Sequence, residues 1–181
     1  MNSNKRIFIV SLISFFLISG LGTFLHFAYE LISNNLIVGI FSAVNESIWE
    51  HLKILVIPMF IVSIYEYIIL KDNRDNFFIS LLARILTGII LIISLYYLYT
   101  NLFGNNIDSI NIAIFYVSAL IAQIVWYFIM LNEPISKRIN LLAFISSVLI
   151  LVLFVVFTFA TPRLGIFKDS RDNSYGIFKY I

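Results

Sequence analysis

The chain has 181 residues, of which 61% are hydrophobic and 12% are charged, whereas a soluble domain carries about 25% charged residues. With a mean hydropathy of +0.98, this composition indicates a protein whose main solvent is the lipid bilayer. The net charge of +2, without a basic block, argues against nucleic acid as a partner, and the absence of cysteine excludes disulfides, iron–sulfur clusters and thiolate metal sites.

Five apolar stretches are each close to the roughly 20 residues that a helix needs to cross a membrane. The predicted spans cover residues 7–25, 52–70, 77–99, 110–131 and 139–160, and a polar tail covers 161–181. Residues 36–44 are apolar but too short to span, which predicts an interfacial or re-entrant segment. The sequence therefore predicts an all-α polytopic bundle of five transmembrane helices with one short extra segment, forming a single integral membrane domain over residues 1–181.

Orientation is predicted from the basic residues of the short connections. The short connections of the opposite side keep only Lys53, at the edge of its helix, and six basic residues fall on one side of the bundle: Lys5, Arg6, Lys71, Arg74, Lys137 and Arg138. This side, with the N-terminus, is predicted to face the cytoplasm, and the C-terminal tail then lies outside the cell membrane. The basic residues of the tail run against the rule, but late charges weigh less than early ones.

The beginning of the second span carries most of the polar chemistry. Asn45, Glu46, Glu50, His51 and Lys53 fall within nine residues, and the Ser-Ile-Trp-Glu run at 47–50 matches a capping box. Helical spacing from residue 46 would put both glutamates on one face and turn His51 about 100° away from Glu50. We expect Glu46, Glu50 and His51 to act as catalytic acid or base groups. The residues expected to bind substrate are Tyr29, Asn45, Trp49 and Lys53.

A plainer interpretation of this cluster is structural. Acidic residues favour the first turn of a helix, tryptophan favours the membrane interface, and lysine can extend its amine toward water. A helix cap alone, however, does not require this density of polar side chains.

A second polar motif follows the first span, where His26 and Glu30 are separated by four residues. This spacing suits two ligands of one metal ion or a salt-bridged helix end. If the outer ends of the first two spans are adjacent, His26, Glu30, Glu46 and Glu50 would converge. Nitrogen and oxygen ligands without cysteine suit Zn²⁺, Mn²⁺ or Fe²⁺.

Two charged residues lie inside predicted spans. Glu66 is near the inner end of the second span and Arg84 is seven or eight residues into the third. Folding this hairpin about residues 73–74 brings them to a similar depth, where an unpaired charge is costly, so the sequence predicts a structural ion pair. Gln123 in the fourth span is expected to hydrogen-bond between helices.

The two polar motifs and the tail resemble an uncharacterised family of small bacterial multi-pass membrane proteins that is known only as a domain of unknown function. The middle motif is the most specific part of the resemblance, and the tail departs from the pattern at Arg163, Gly165 and Ser170. The matching positions are His26, Phe27, Tyr29, Glu30, Ser42, Val44, Asn45, Glu46, Ser47, Trp49, Glu50, His51, Leu52, Lys53, Pro58, Thr161, Pro162, Phe167, Asp169, Tyr175, Gly176 and Ile177. The resemblance implies a membrane location and no particular activity.

Three functions are compatible with these features. A metal-dependent membrane enzyme would use the polar cluster outside the membrane. A small-molecule or proton-coupled transporter should show polar residues at mid-depth in several spans, and few are present. A structural assembly protein would need none of the cluster exposed to a cavity.

Overall fold

The computed structural model describes residues 2–71 and 74–179. Over these ranges the chain is helical, with one isolated β-bridge between Lys168 and Tyr175. The elements are α1 (Ser3–Leu31), α2 (Leu36–Phe41), α3 (Ile48–Ile69), α4 (Phe77–Phe103), α5 (Asp108–Leu131), α6 (Lys137–Phe159) and a 3-10 helix (Gly165–Phe167). All of the α-helices except α2 are long and apolar enough to cross a membrane. The predicted membrane helix bundle is confirmed.

The long helices extend beyond the predicted apolar spans. α1 has 29 residues, which corresponds to about 43 Å at 1.5 Å per residue, whereas the hydrocarbon core is about 30 Å thick. Hydropathy marks only the part of a helix that lies in lipid, and the polar ends can continue as helix in water. His26 stands about 29 Å along the axis from Ile7, and therefore at the edge of the hydrocarbon.

α3 is the central helix of the bundle. Of its most apolar stretch, 61% is buried inside the protein, against 22–39% for the other long helices. It packs against α1, α4 and α6, while α4 also packs against α5 and α6, and α1 also packs against α5. Pro58 lies inside α3, where its ring nitrogen cannot donate to the carbonyl of Ile54.

The two ends of the bundle differ in charge. We call the end that carries the N-terminus, the α3–α4 turn and the α5–α6 connection the basic end, and the opposite end the site end. The predicted turn at 71–76 includes residues 72 and 73, which lie outside the described residues. In the rest of this turn, Arg74 donates through Nη2 to the carbonyl of Tyr67 at 2.8 Å and its guanidinium lies 3.8 Å from the centre of the Tyr67 ring.

Glu66 and Arg84 meet between α3 and α4, and both are fully buried. Arg84 Nη1 lies 2.7 Å from Glu66 Oε1, and Arg84 Nη2 lies 3.1 Å from Glu66 Oε2. The guanidinium also donates to Gln123 Oε1 at 2.9 Å and to the carbonyl of Met59 at 3.0 Å. Both terminal nitrogens of the guanidinium are thus bound, while its buried Nε has no hydrogen-bond partner among the described residues.

Candidate functional site

The connection through α2 determines where the polar motif lies. Ser33 and Asn34 adopt positive φ angles of 52° and 57° and end α1 sharply. The backbone N–H of Ala43 then donates to the carbonyl of Leu25 on α1 at 3.2 Å. This contact returns the chain to the end of α1, so that Glu46 enters the site beside His26.

His26, Glu46 and His51 form a compact triad at the site end. One ligand atom from each residue lies within 4.8 Å of the others. His51 Nε2 is 3.5 Å from Glu46 Oε2, and the two imidazole rings are 5.2 Å apart. The other polar residues of the 45–53 motif, Asn45, Glu50 and Lys53, are not part of this triad.

The hydrogen bonds of the triad leave nitrogen atoms available to a ligand. His51 Nδ1 lies 2.8 Å from the carbonyl oxygen of Ser47. Because a carbonyl can only accept, Nδ1 donates in this hydrogen bond, and Nε2 is the ring nitrogen that faces Glu46. His26 Nδ1 is buried and has no hydrogen-bond partner among the described residues.

The structure corrects the predicted helical face of Glu46. α3 begins at Ile48 with Ser47 as its N-cap, so Glu46 precedes the helix and helical spacing does not govern its direction. Its carboxylate approaches His51 instead of sharing a face with Glu50. Sequence reasoning separated His51 from Glu46 because it extended the helix two residues too far.

Glu50 and Lys53 lie apart from the triad in a buried network. Lys53 Nζ is 2.5 Å from Glu50 Oε2 and donates to the Gly39 carbonyl and to Thr158 Oγ1, each at 2.9 Å. Glu50 also accepts from the backbone of Val44 at 3.1 Å. The network ties α2 and α6 to α3, and it does not support a metal-binding or catalytic Glu50 or a substrate-binding Lys53.

Of the two hydrogen bonds of the predicted capping box, only one is formed. Ser47 Oγ accepts from the backbone N–H of Glu50 at 3.3 Å, as predicted by the motif. The Glu50 carboxylate is engaged by Lys53 and does not return the bond. The N–H of Ser47 donates to Asn45 Oδ1 at 3.0 Å instead.

The remaining predicted residues surround the site without joining the triad. Trp49 lies against the rings of Phe154 and Phe167, at 4.4 and 4.6 Å between centroids, which is a packing role. Glu30 is exposed. Glu30, Tyr29 and Asn45 line a cavity of about 130 Å³ beside His26.

The C-terminal tail supplies contacts to Glu46 from residues that were not among the predicted site residues. Asp169 Oδ2 accepts from the backbone N–H of Glu46 at 3.3 Å, and Ser170 Oγ donates to its carbonyl at 3.2 Å. Arg171 Nη2 lies 3.3 Å from Glu46 Oε1. Three consecutive tail residues therefore hold one glutamate in position. Hydrogen bonding from Ser174 holds the pKa of the nearby Asp172 carboxyl below its usual range, and this carboxylate lies 3.4 Å from Lys179 Nζ.

Three adjoining cavities meet at the triad, with volumes of about 270, 130 and 30 Å³. Glu46 lines all three, and His51 and His26 each line two. The largest has an apolar wall that includes Ile54 and Phe115.

The triad has the composition of a metal site with an open position. Two histidines and one carboxylate bind Zn²⁺ in hydrolases and Fe²⁺ in oxygenases, with further positions left for water or substrate. A tetrahedral ion holds donor atoms about 3.4 Å apart. The His51–Glu46 spacing of 3.5 Å is close to this value, and a ligand atom of His26 lies within 4.8 Å of both.

Comparison with known proteins gives a family but no activity. A family model described as "Family of unknown function (DUF6512)" matches residues 1–177. No curated protein and no solved structure matches the chain.

Proposed function

We propose, from the geometry of its site, that this multi-pass membrane protein is a metal-dependent enzyme. The chain belongs to a family of unknown function, DUF6512, so the proposal rests on the site and not on the family. Its ion would be a single divalent Zn²⁺, Mn²⁺ or Fe²⁺ bound by His26, Glu46 and His51. The observation that carries the proposal is the convergence of these ligand atoms within 4.8 Å.

The hydrogen bond and the ion pair that hold His51 and Glu46 in place support metal binding. Histidine ligands commonly donate their other ring N–H to a carbonyl or carboxylate, which fixes the ring and makes the ligating nitrogen more basic. His51 has such a bond to Ser47, at 2.8 Å. Arg171 holds one oxygen of Glu46, and the other oxygen is the one that approaches His51.

The adjoining cavity supports an enzyme over a closed structural metal site. A structural ion is enclosed by four protein ligands, whereas a catalytic ion keeps a position for water or substrate. Here three ligands face a cavity of about 270 Å³. A bound ion of this kind activates a water molecule at neutral pH and polarises a substrate oxygen.

The transporter alternative is weaker because the polar side chains at mid-depth are buried and already hydrogen-bonded within the protein. Arg84, Glu66 and Gln123 are all buried and bind one another. A transport path needs such groups to face a water-filled route. We also propose that the basic end faces the cytoplasm, following the positive-inside rule, so that the site end is extracytoplasmic.

Elemental analysis of detergent-purified protein tests the proposal. We expect about one Zn, Mn or Fe per wild-type chain, in keeping with a three-ligand mononuclear site. Glu46→Gln and His51→Phe should lose more than nine tenths of this metal, because each removes one of three ligands. Glu30→Gln is the matched control, since it neutralises an exposed glutamate outside the triad.

Each variant must retain the helical circular dichroism of the wild type for its metal content to be compared. Absence of bound metal in wild-type protein loaded with each of the three ions would refute the proposal. Equal metal loss in Glu30→Gln and Glu46→Gln would refute the assignment of the ligands.

A further inference from the structure

Two cavities lie along the same seam between α1 and α5. The one of about 270 Å³ at the triad is lined by Thr23 and Phe27 of α1 and by Ile112 and Tyr116 of α5. A second, of about 160 Å³, lies closer to the basic end between the same helices. Its lining residues are Phe8, Ser11, Leu12, Phe15, Leu120, Gln123, Ile124 and Tyr127.

The seam faces the surroundings of the bundle, which in a membrane are lipid. Phe27 and Ile112 at the upper cavity are exposed, as are Phe8, Leu12 and Leu120 at the lower one. Because α1 and α5 are both long and apolar enough to span, the side chains at the lower cavity face acyl chains, and those at the upper cavity stand at the edge of the hydrocarbon beside His26. The upper cavity can therefore be reached sideways from the bilayer.

Two pairs of polar side chains within the seam bind one another, while Asp108 and Asn111 line the upper cavity at its polar end. Thr23 Oγ1 and Tyr116 Oη are 2.8 Å apart, and Gln123 Nε2 donates to Ser11 Oγ at 3.2 Å. Such pairs do not compete for a polar ligand. The wall they leave is suited to hydrocarbon.

The part of the seam between the triad and Phe15, where the lower cavity begins, matches the depth of one leaflet. His26 and Phe15 are eleven residues apart on α1, which corresponds to about 16 Å along the helix. This is close to half of the roughly 30 Å hydrocarbon thickness. An acyl chain that starts at the triad would end near the lower cavity.

The polar end of the seam carries groups that suit an anionic head group. Arg171 lines the upper cavity, and its side chain is 63% exposed although it contacts Glu46. A guanidinium has five donors, so it can hold the carboxylate and still bind a phosphate. A divalent ion on the triad would add positive charge beside it.

We propose that the substrate of this site is a membrane phospholipid of the leaflet at the site end. It enters sideways between α1 and α5, lays one acyl chain along the seam and presents its phosphate to Arg171 and the triad. This inference rests on the proposed metal site for its chemistry. The apolar seam supports the lipid chain independently of the metal.

Photocrosslinking in vesicles tests the inference. Full-length protein is reconstituted into phosphatidylglycerol vesicles that contain a phosphatidylglycerol probe with a diazirine midway along one acyl chain. After illumination, labelled peptides are mapped by mass spectrometry. We expect labelling concentrated on residues 15–27 of α1 and 112–124 of α5, at least fivefold above the lipid-facing surface of α6.

Two substitutions on α5 serve as a matched pair. Ile112→Trp places a large ring at the mouth of the upper cavity and should reduce seam labelling at least fivefold. Ile121→Trp makes the same change at another exposed isoleucine of α5, one that lines neither seam cavity, and should leave labelling unchanged. Uniform labelling of all spanning helices, or equal effects of the two substitutions, would overturn the inference.

Soluble glycerol phosphate and metal content separate the remaining outcomes. Loss of seam labelling when glycerol phosphate is added outside would indicate a water-soluble substrate and overturn the lipid assignment. Metal is measured on the same preparation. Bound metal with uniform labelling refutes the lipid substrate alone, whereas seam labelling without any bound metal supports the lipid site and refutes the metal-dependent function.

Discussion

Removing the charge of Glu66 alone should destabilise the bundle more than removing both charges of the Glu66–Arg84 pair. Both side chains are fully buried and are joined by contacts of 2.7 and 3.1 Å. In Glu66→Gln the guanidinium keeps Gln123 and the Met59 carbonyl as acceptors but loses this carboxylate. Removing one partner of a buried ion pair costs about 3–5 kcal/mol. A fall of roughly 6–20 °C in the thermal midpoint follows, at about 2–4 °C per kcal/mol for a chain of this size.

The double variant Glu66→Gln/Arg84→Gln should recover at least half of this loss, because no buried charge remains without a counter-charge. Thermal unfolding in detergent, followed by circular dichroism, measures all three proteins. Glu30→Gln is the control for removal of a carboxylate at an exposed position and should change the free energy of unfolding by less than about 0.5 kcal/mol. A double variant as unstable as Glu66→Gln would refute the reasoning.

Three further changes probe other parts of the structure. A Cβ at Gly22 would lie 2.8 Å from a backbone carbonyl oxygen of α3, whereas nothing lies within 4 Å of one at Gly20; Gly22→Ala should therefore cost about 1–3 kcal/mol in thermal unfolding, and an equally unstable Gly20→Ala would contradict this. Arg171→Gln should weaken metal affinity about 10–100-fold in chelator competition, since it frees one oxygen of the ligating glutamate; unchanged affinity would argue against a positioning role. Because the chain lacks cysteine, an impermeant maleimide should label Asn105→Cys on intact cells and Glu133→Cys only after permeabilisation, and the reverse pattern would invert the proposed orientation.

Hydropathy was sufficient to predict the spans of this fold, because a lipid solvent requires long uninterrupted apolar stretches. The short length of residues 36–44 correctly distinguished α2 from the spanning helices. Counting residues from the turn also brought Glu66 and Arg84 to the same depth, where the structure has them in contact. These features depend on position along a helix axis, which sequence spacing gives directly.

The site was only partly predictable because it depends on where helices end. His26, Glu46 and His51 were all recognised as polar candidates, but their grouping required knowing that α3 begins at Ile48. Glu50 was grouped with them although its carboxylate faces Lys53. Neighbouring positions in one motif, such as Glu50 and His51, thus serve two different networks.

The tail contacts could not be derived from spacing at all. Asp169 bonds to the backbone of Glu46 across 123 residues, and the tail has no periodic pattern that would indicate its partner. Asp169 is one of the positions that match the family pattern, and this match was the available signal in the sequence. The match did not assign Asp169 a role. Contacts of this kind are determined by tertiary packing, such as the burial of Phe167 and Ile177 against the bundle.

X-ray absorption spectroscopy of the metal-loaded protein tests the central claim most directly. The extended fine structure reports both the nearest donor atoms and the outer-shell scattering of imidazole rings. The account predicts a nitrogen and oxygen shell at about 2.0–2.2 Å with outer-shell scattering from two imidazoles, which falls to one in His51→Phe. A spectrum without imidazole scattering, or one that His51→Phe leaves unchanged, would contradict it.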